Sequence, residues 1–558
     1  MKPFKGRSRP SISFFILMLS FLAAGPVAQA AGSDPQAAQT GVPLYDDLGN
    51  LHHGISTRNS LAQKYFDQGL RLTYGFNHAE AIRAYTEAAR LDPHCAMCYW
   101  GIALDYGPNI NAPMDADSGV KAYAAVQQAL ALLPYANAEE RGYIRAVATR
   151  YTAKPEADRT ALDHAYADAM GKLAAKYPND LDAQTLYAES LMDLSPWDYW
   201  THDGKPHANT PIILATLEGV IRRNPNHAGA CHYYIHAVEA AYPEKAVPCA
   251  DRLPSLMPGA GHLVHMPAHI YIRVGRWADA IKANQHAIHT DEDYIMDQHP
   301  AAGMYPMGYY PHNIHFLEFA ASMAGNSAMT LESAHKLAGK VDPGMVTQIG
   351  LLQSMLVAPL HAEIRFGRWQ AVLNEPAPPA GLHYPMGIWH YARGVAYVKQ
   401  NKLDLADAEL AELQKSAADP ALAGLMVDSG NAATPMLQIA SRVLAGEIAA
   451  KRGATDAAVS DFRQAVEMED RLAYVEPPSL PNPVRQQLGA LLLANGRANE
   501  AEAVYREDLK QYPENGWSLY GLAASLRAQG KNAEADAVQV RFKRAWTLSD
   551  VTLTASAF

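Results

Sequence analysis

The feature that most constrains this chain is internal repetition. From about residue 60 onward it cycles through an apolar helical stretch, a turn holding Gly or Asn, a second helical stretch and often a proline, with a period of about 34 residues. One helical hairpin of that length cannot bury its apolar face alone, so it must stack on the next, and stacking continues for as long as the repeats do. The 558 residues therefore need not divide into separate globular domains, and 49% hydrophobic with 19% charged content supplies the core such a stack requires. The expected fold is all-α: a helix-turn-helix solenoid, or superhelix, of about a dozen helix pairs between residues 60 and 546, interrupted by loop insertions.

Three copies are legible residue by residue. Gly69, Ala81, Tyr85, Ala88 and Pro93 form the first; Leu488, Gly489, Leu492, Ala501, Tyr505 and Pro513, then Leu522, Ala523, Leu526 and Ala535, form the last two. Between them, Gly275-Arg276-Trp277-Ala278-Asp279-Ala280 and Gly367-Arg368-Trp369 occupy the same inter-helix turn, where glycine tolerates the left-handed backbone of a helix end. These residues resemble the tetratricopeptide-repeat (TPR) family over most of residues 60–546, most closely at the two ends and most loosely over 136–225. The resemblance implies a right-handed superhelix with a concave ligand-binding groove. The segments Cys-Ala-Met-Cys-Tyr-Trp-Gly at 95–101, Gly-His-Leu-Val-His-Met-Pro-Ala-His at 261–269 and His-Asn-Ile-His at 312–315 are similar to those of bacterial exported TPR proteins lacking an assigned activity. They imply no reaction.

Residues 1–30 have the three-part layout of a secretory signal peptide: Lys2, Lys5, Arg7 and Arg9, an apolar run centred on Phe14 to Ala24, then Ala28-Gln29-Ala30. Export places the mature protein in the periplasm or outside the cell, without a membrane span. Removing this leader takes away four basic and no acidic residues, so the formal charge moves from −10 to −14, which disfavours nucleic acid as a partner. Residues 31–58 read as a flexible lead-in, 59–225 as N-terminal repeats, 226–370 as central His-rich repeats, 371–546 as C-terminal repeats and 547–558 as a tail. Pro- and Gly-containing insertions fall at 107–114, 195–211, 299–311, 375–385 and 476–483. Insertions of this kind crowd the rim of a solenoid and can cap its groove. The aromatic loop Pro196-Trp197-Asp198-Tyr199-Trp200 is the best candidate for a cap, with a hydrophobic plug at an irregular junction as the alternative.

Eleven of the 22 histidines fall within residues 227–315. Counting each repeat from the start of its first helix, His232, His236 and Glu239 stand at positions 5, 9 and 12 of one repeat, and His262, His265 and His269 at 2, 5 and 9 of the next. His312 and His315 take positions 2 and 5 of the following repeat, and His361 position 9 of the one after. Helical spacing puts such positions on one face, and in TPR proteins positions 2, 5, 9 and 12 line the concave groove. The resemblance thus implies that all eight imidazoles face inward together. Imidazole is the commonest metal-ligand side chain, and a pair at i and i+4 can close on one ion. Glu239 could serve as a further ligand or hold an imidazole tautomer, and two or three His with one acid suits Zn, Cu, Mn or Fe. The zinc-protease pattern is absent, because Tyr233 stands where its glutamate would be.

Cys95 and Cys98 open a helix, where the dipole lowers a thiol pKa, so a redox pair, a structural disulfide and buried thiols all remain open. Cys231 and Cys249 occupy positions that face one another across the hairpin in TPR proteins, which implies a disulfide stapling that repeat, with a thiolate ligand set as the competing reading. No phosphate-cradling loop, Gly-x-Ser-x-Gly elbow or dinucleotide fingerprint occurs. Two functions follow: a transition-metal-binding solenoid, with metal-dependent catalysis open to it, or a metal-free scaffold holding a small molecule, peptide or protein partner in the groove. The first requires imidazole nitrogens to converge and the second disperses them.

Overall fold

The computed structural model describes residues 41–154, 158–347 and 349–558. The expected leader over 1–30 lies outside them. Twenty-six α-helices run from Ser60–Tyr74 to Asn532–Ala545, and the described residues contain isolated β-bridges but no strand. They make twelve hairpins, because two first helices are each broken in two, ahead of Pro267 and of Pro359. Proline offers no N–H to the carbonyl four residues back and clashes with it, so each break falls where the chain carries one.

The small-small-aromatic pattern has a direct structural cause. A Cβ on Gly69 or on Gly101 would lie 2.6 Å from the Tyr85 ring, so this tyrosine is gripped between the first helices of two successive repeats. The same arrangement recurs at the far end, where Gly489 and Gly521 close on Tyr505 at 2.4 and 2.2 Å. The inter-helix turns repeat as well: Gly275, Gly325, Gly367, Gly453, Gly496 and Gly530 all have φ between 64° and 80°. In the first repeat this left-handed position belongs to Phe76, at φ 56°.

The stack does not present an open groove. Its coil brings the C-terminal repeats back against the middle ones: Trp277 Nε1–H donates to the Pro513 carbonyl at 2.9 Å and Trp517 Nε1–H to that of Ser322 at 2.9 Å. The tail continues this contact. Asp550 accepts from the Ser327 and Ala328 amides, capping the helix Ser327–Ala338, while Ser556 donates to the Gln486 carbonyl at 2.8 Å and Leu553 is buried. At the other end, the part of the expected flexible lead-in that is described, residues 41–58, is tied down. The Gly259 amide donates to the Asp47 carbonyl at 3.0 Å, Tyr45 Oη–H donates to Glu80 at 3.0 Å, and Leu48 is buried. Extended backbone is held here by side chains of the first and central repeats instead of by its own secondary structure.

One of the two cysteine pairs is closed. Cys95 and Cys98 form the disulfide, at the start of the helix Ala96–Asp105. Cys231 and Cys249 face one another across their hairpin as expected, but as two buried free thiols with sulfurs 2.7 Å apart, not a closed staple.

Candidate metal centre

Six of the eight histidines come together. They sit on three consecutive first helices: His232 and His236 on Ala228–Val238, His262 and His265 on Gly261–His265, His269 on Pro267–Arg273 and His312 on Tyr310–Met323. Gly261 permits the close approach of its helix to the second helix of the hairpin, since a Cβ there would lie 2.0 Å from the buried Asp291 carboxylate. That carboxylate in turn accepts from Tyr305 Oη–H and Asn313 Nδ2–H, both at 2.7 Å, which locks the His312 helix to the same framework.

The inward face of these helices is buried, not open as a groove. His232 and His265 are 0% exposed, His262 and His269 1%, and His236 3%, while His312 is half-buried. The reason is that the chain's own insertions fill the concave side. Trp197 packs edge-on over His236 with centroids 4.9 Å apart, and its Nε1–H donates to Asn111 Oδ1 at 3.2 Å. Asn111 Nδ2–H reaches Tyr309 Oη at 3.1 Å, and the Tyr309 ring lies 4.6 Å from that of His262. Three separate insertions are therefore linked across one cluster. A fourth contributes Glu476, whose Oε2 is 3.4 Å from His269 Nδ1.

Hydrogen bonding decides which nitrogens remain free. His232 Nδ1–H donates to the Tyr74 carbonyl at 2.7 Å, and His236 Nδ1–H to Glu239 Oε1 at 3.0 Å. Each bond fixes the tautomer and leaves Nε2 with a lone pair. Both Nε2 atoms are buried without a partner, as are both ring nitrogens of His262. One nitrogen from each of these three residues lies within 4.8 Å of the others. A second set, His265, His269 and His312, meets the same criterion, as do His236, Glu239 and His269 between them. Burial, then the neighbouring imidazoles, pushes the pKa of His232, His262 and His265 well below the ordinary value, so these rings stay neutral and available as ligands. Glu239 is held ionised: burial alone would raise its pKa, but the His269 and His236 interactions outweigh that and lower it.

His315 and His361 join neither set. Both remain neutral through burial, with pKa values lowered to about 4. A further group, His53, Asp180 and Asp182, also meets the distance criterion. Asp182 is already saturated there by His53 at 2.9 Å, Tyr74 Oη–H at 2.7 Å and His227 at 3.2 Å.

Sequence reasoning missed several contributors. Phe76 lies over His232 with centroids 4.5 Å apart and over His262 at 5.4 Å. Its signal was legible: it fills the turn position that other repeats give to glycine, a strained conformation for a bulky side chain, as is that of Trp197 at φ 64°. Glu476, the Tyr74 carbonyl and Asn284 Oδ1, which accepts from His265 Nδ1–H at 2.7 Å, carried no comparable mark.

No family model matches the chain, and no curated protein does. Solved structures to which it is similar include human IFIT1 with m7Gppp-AAAA, 12% identical over 88% of this chain and 91% of that one with a TM-score of 0.30. Ypp1 is 8% identical over 88% and 81%, with a TM-score of 0.42. The P58(IPK) TPR domain is 10% identical over 84% and 98%, with a TM-score of 0.22. These superpositions are loose, and the assignment stands on the twelve hairpins, the twice-repeated glycine-tyrosine-glycine clasp and the left-handed turn glycines. By that evidence the chain is a TPR-type helical solenoid.

Proposed function

We propose that this protein is an exported metal-binding solenoid holding a transition metal ion in its closed interior. The observation that carries the reading is the set of orphaned nitrogens on His232, His236 and His262, buried, mutually within 4.8 Å and already oriented from behind by Tyr74 and Glu239. An unsatisfied buried polar atom costs roughly 1–3 kcal/mol, so several at one point are unfavourable unless a ligand meets them. Three imidazoles with second-layer acceptors suit Zn or Cu, and the absence of a carboxylate aimed into that set makes Mn less apt. An ion bound there would act as a Lewis acid toward any oxygen ligand entering beneath the Trp197 loop. Filling of the concave side by Trp197, Tyr309 and Glu476 counts against an extended peptide lying along this face. Export is supported by the basic-apolar-small layout of residues 1–30 and by the Cys95–Cys98 disulfide, a bond of oxidising compartments.

The test is elemental analysis of the purified mature protein beside a His232→Ala/His262→Ala double variant, with circular dichroism on both. Near-stoichiometric transition metal in the wild type, lost in a folded variant, is the expected result. Wild-type protein that is metal-free and takes up none of Zn(II), Cu(II), Mn(II) or Fe(II) on titration would refute the reading.

A further inference from the structure

We infer that the interior holds two ions, not one, in adjacent three-imidazole pockets that share Glu239 as a common anchor. This rests on the metal-binding reading above and extends it to the second set, His265, His269 and His312.

The two sets are built alike. Each draws two histidines spaced four apart along the chain, His232/His236 and His265/His269, plus one from a neighbouring segment, His262 or His312. Within each, one imidazole is anchored through Nδ1 to a neutral oxygen, of Tyr74 for His232 and of Asn284 for His265. The other is anchored through Nδ1 to Glu239, whose Oε1 takes His236 at 3.0 Å while its Oε2 takes His269 at 2.5 Å. One carboxylate therefore sets the tautomer of one ring in each pocket. The Asn284 amide cannot turn round, because its Nδ2–H is committed to the Ala280 carbonyl at 2.8 Å.

The second pocket has its own close contact. With both Nδ1 atoms donating, His265 and His269 turn their Nε2 atoms toward one another, 3.0 Å apart. One proton shared between the two nitrogens, or a metal ion in its place, satisfies that contact. Phe316 packs on both rings, at 4.6 and 4.5 Å between centroids, so they cannot swing apart without displacing it. The pockets adjoin: the His236 and His269 centroids are 5.2 Å apart and those of His262 and His265 5.8 Å. Two divalent first-row ions held this near one another form a dinuclear centre, a class suited to ligands with one oxygen placed between two metals.

The experiment is metal titration of the full-length mature protein, stripped by a chelator, with Zn(II) followed by mass spectrometry under native conditions, for the wild type and for His262→Ala and His312→Ala. Two ions per chain in the wild type and one in each variant is expected. Cu(II)-loaded wild type should also show an electron paramagnetic resonance spectrum broadened by a second nearby Cu(II), a readout that needs no variant. One ion in the wild type with an unbroadened spectrum overturns the paired centre and leaves the single site standing, with a shared proton between His265 and His269 in place of the second ion. No ion at all overturns both readings.

Discussion

At the scale of single residues, a buried polar group takes its properties from the partner the fold gives it. His53 illustrates the energetic consequence. Burial alone would lower its pKa, but the hydrogen bond to Asp182 and that carboxylate's charge outweigh burial and raise it to about 9. A histidine whose folded pKa is raised stabilises the protein fully below its unfolded pKa, about 6.5, and loses that contribution as pH rises through the folded value. Wild-type stability should therefore fall between pH 6.5 and about 9, by up to roughly 3 kcal/mol from this group. The difference between wild type and His53→Gln, read from denaturant melts at several pH values, isolates the contribution; a pH-independent difference would refute it. The orphaned nitrogens of His232, His236 and His262 stand apart from other unpartnered buried atoms because they gather within 4.8 Å of one another.

At the scale of elements, the repeat works by clasping an aromatic ring between glycines. Adding a methyl at Gly101 would drive it into Tyr85, at 2.6 Å, so Gly101→Ala should destabilise by about 1–3 kcal/mol. Gly219, inside the helix Thr210–Arg223, meets only the end of the Arg222 side chain at 3.8 Å. Gly219→Ala should stabilise by about 0.5–1 kcal/mol through reduced unfolded-chain entropy. Equal effects from the two substitutions in thermal or denaturant melts would rule out the clasp. This clasp was legible from Gly69, Tyr85, Gly489 and Tyr505 because it is local: the residues lie within two successive hairpins, and spacing alone places them. The His-x-x-x-His pairs were legible for the same reason. The partition of six imidazoles into two sets was not, because it depends on the register between three hairpins.

At the scale of the whole molecule, the solenoid is closed upon itself, and this changes how it should unfold. An open repeat array loses stability from its ends inward. Here residues 546–558 seal the central repeats, with Trp546 against Gly325 and Asp550 capping the helix Ser327–Ala338. Deleting residues 547–558 should therefore weaken hydrogen-exchange protection in Ser327–Ala338, far away in sequence, by at least the roughly 1 kcal/mol of the lost cap. Protection that changes only within the last two hairpins would show that the closure contributes nothing. Closure also converts the expected groove into an interior, which is why histidines placed on an inward face from their repeat positions turn out to be buried.

What the sequence by itself determined is what depends on neighbours along the chain: the helices, their turns, the hairpin stack and the inward face that collects the histidines. Periods of 3.6 and about 34 residues are written in residue type, and proximity in sequence enforces them. Tertiary structure alone decided that insertions from four separate places would meet over that face, that Glu239 would join two triads and that Glu476 would reach His269. Those contacts arise from the summed rotation of many hairpins, a quantity to which every repeat contributes a little and no single residue pattern encodes.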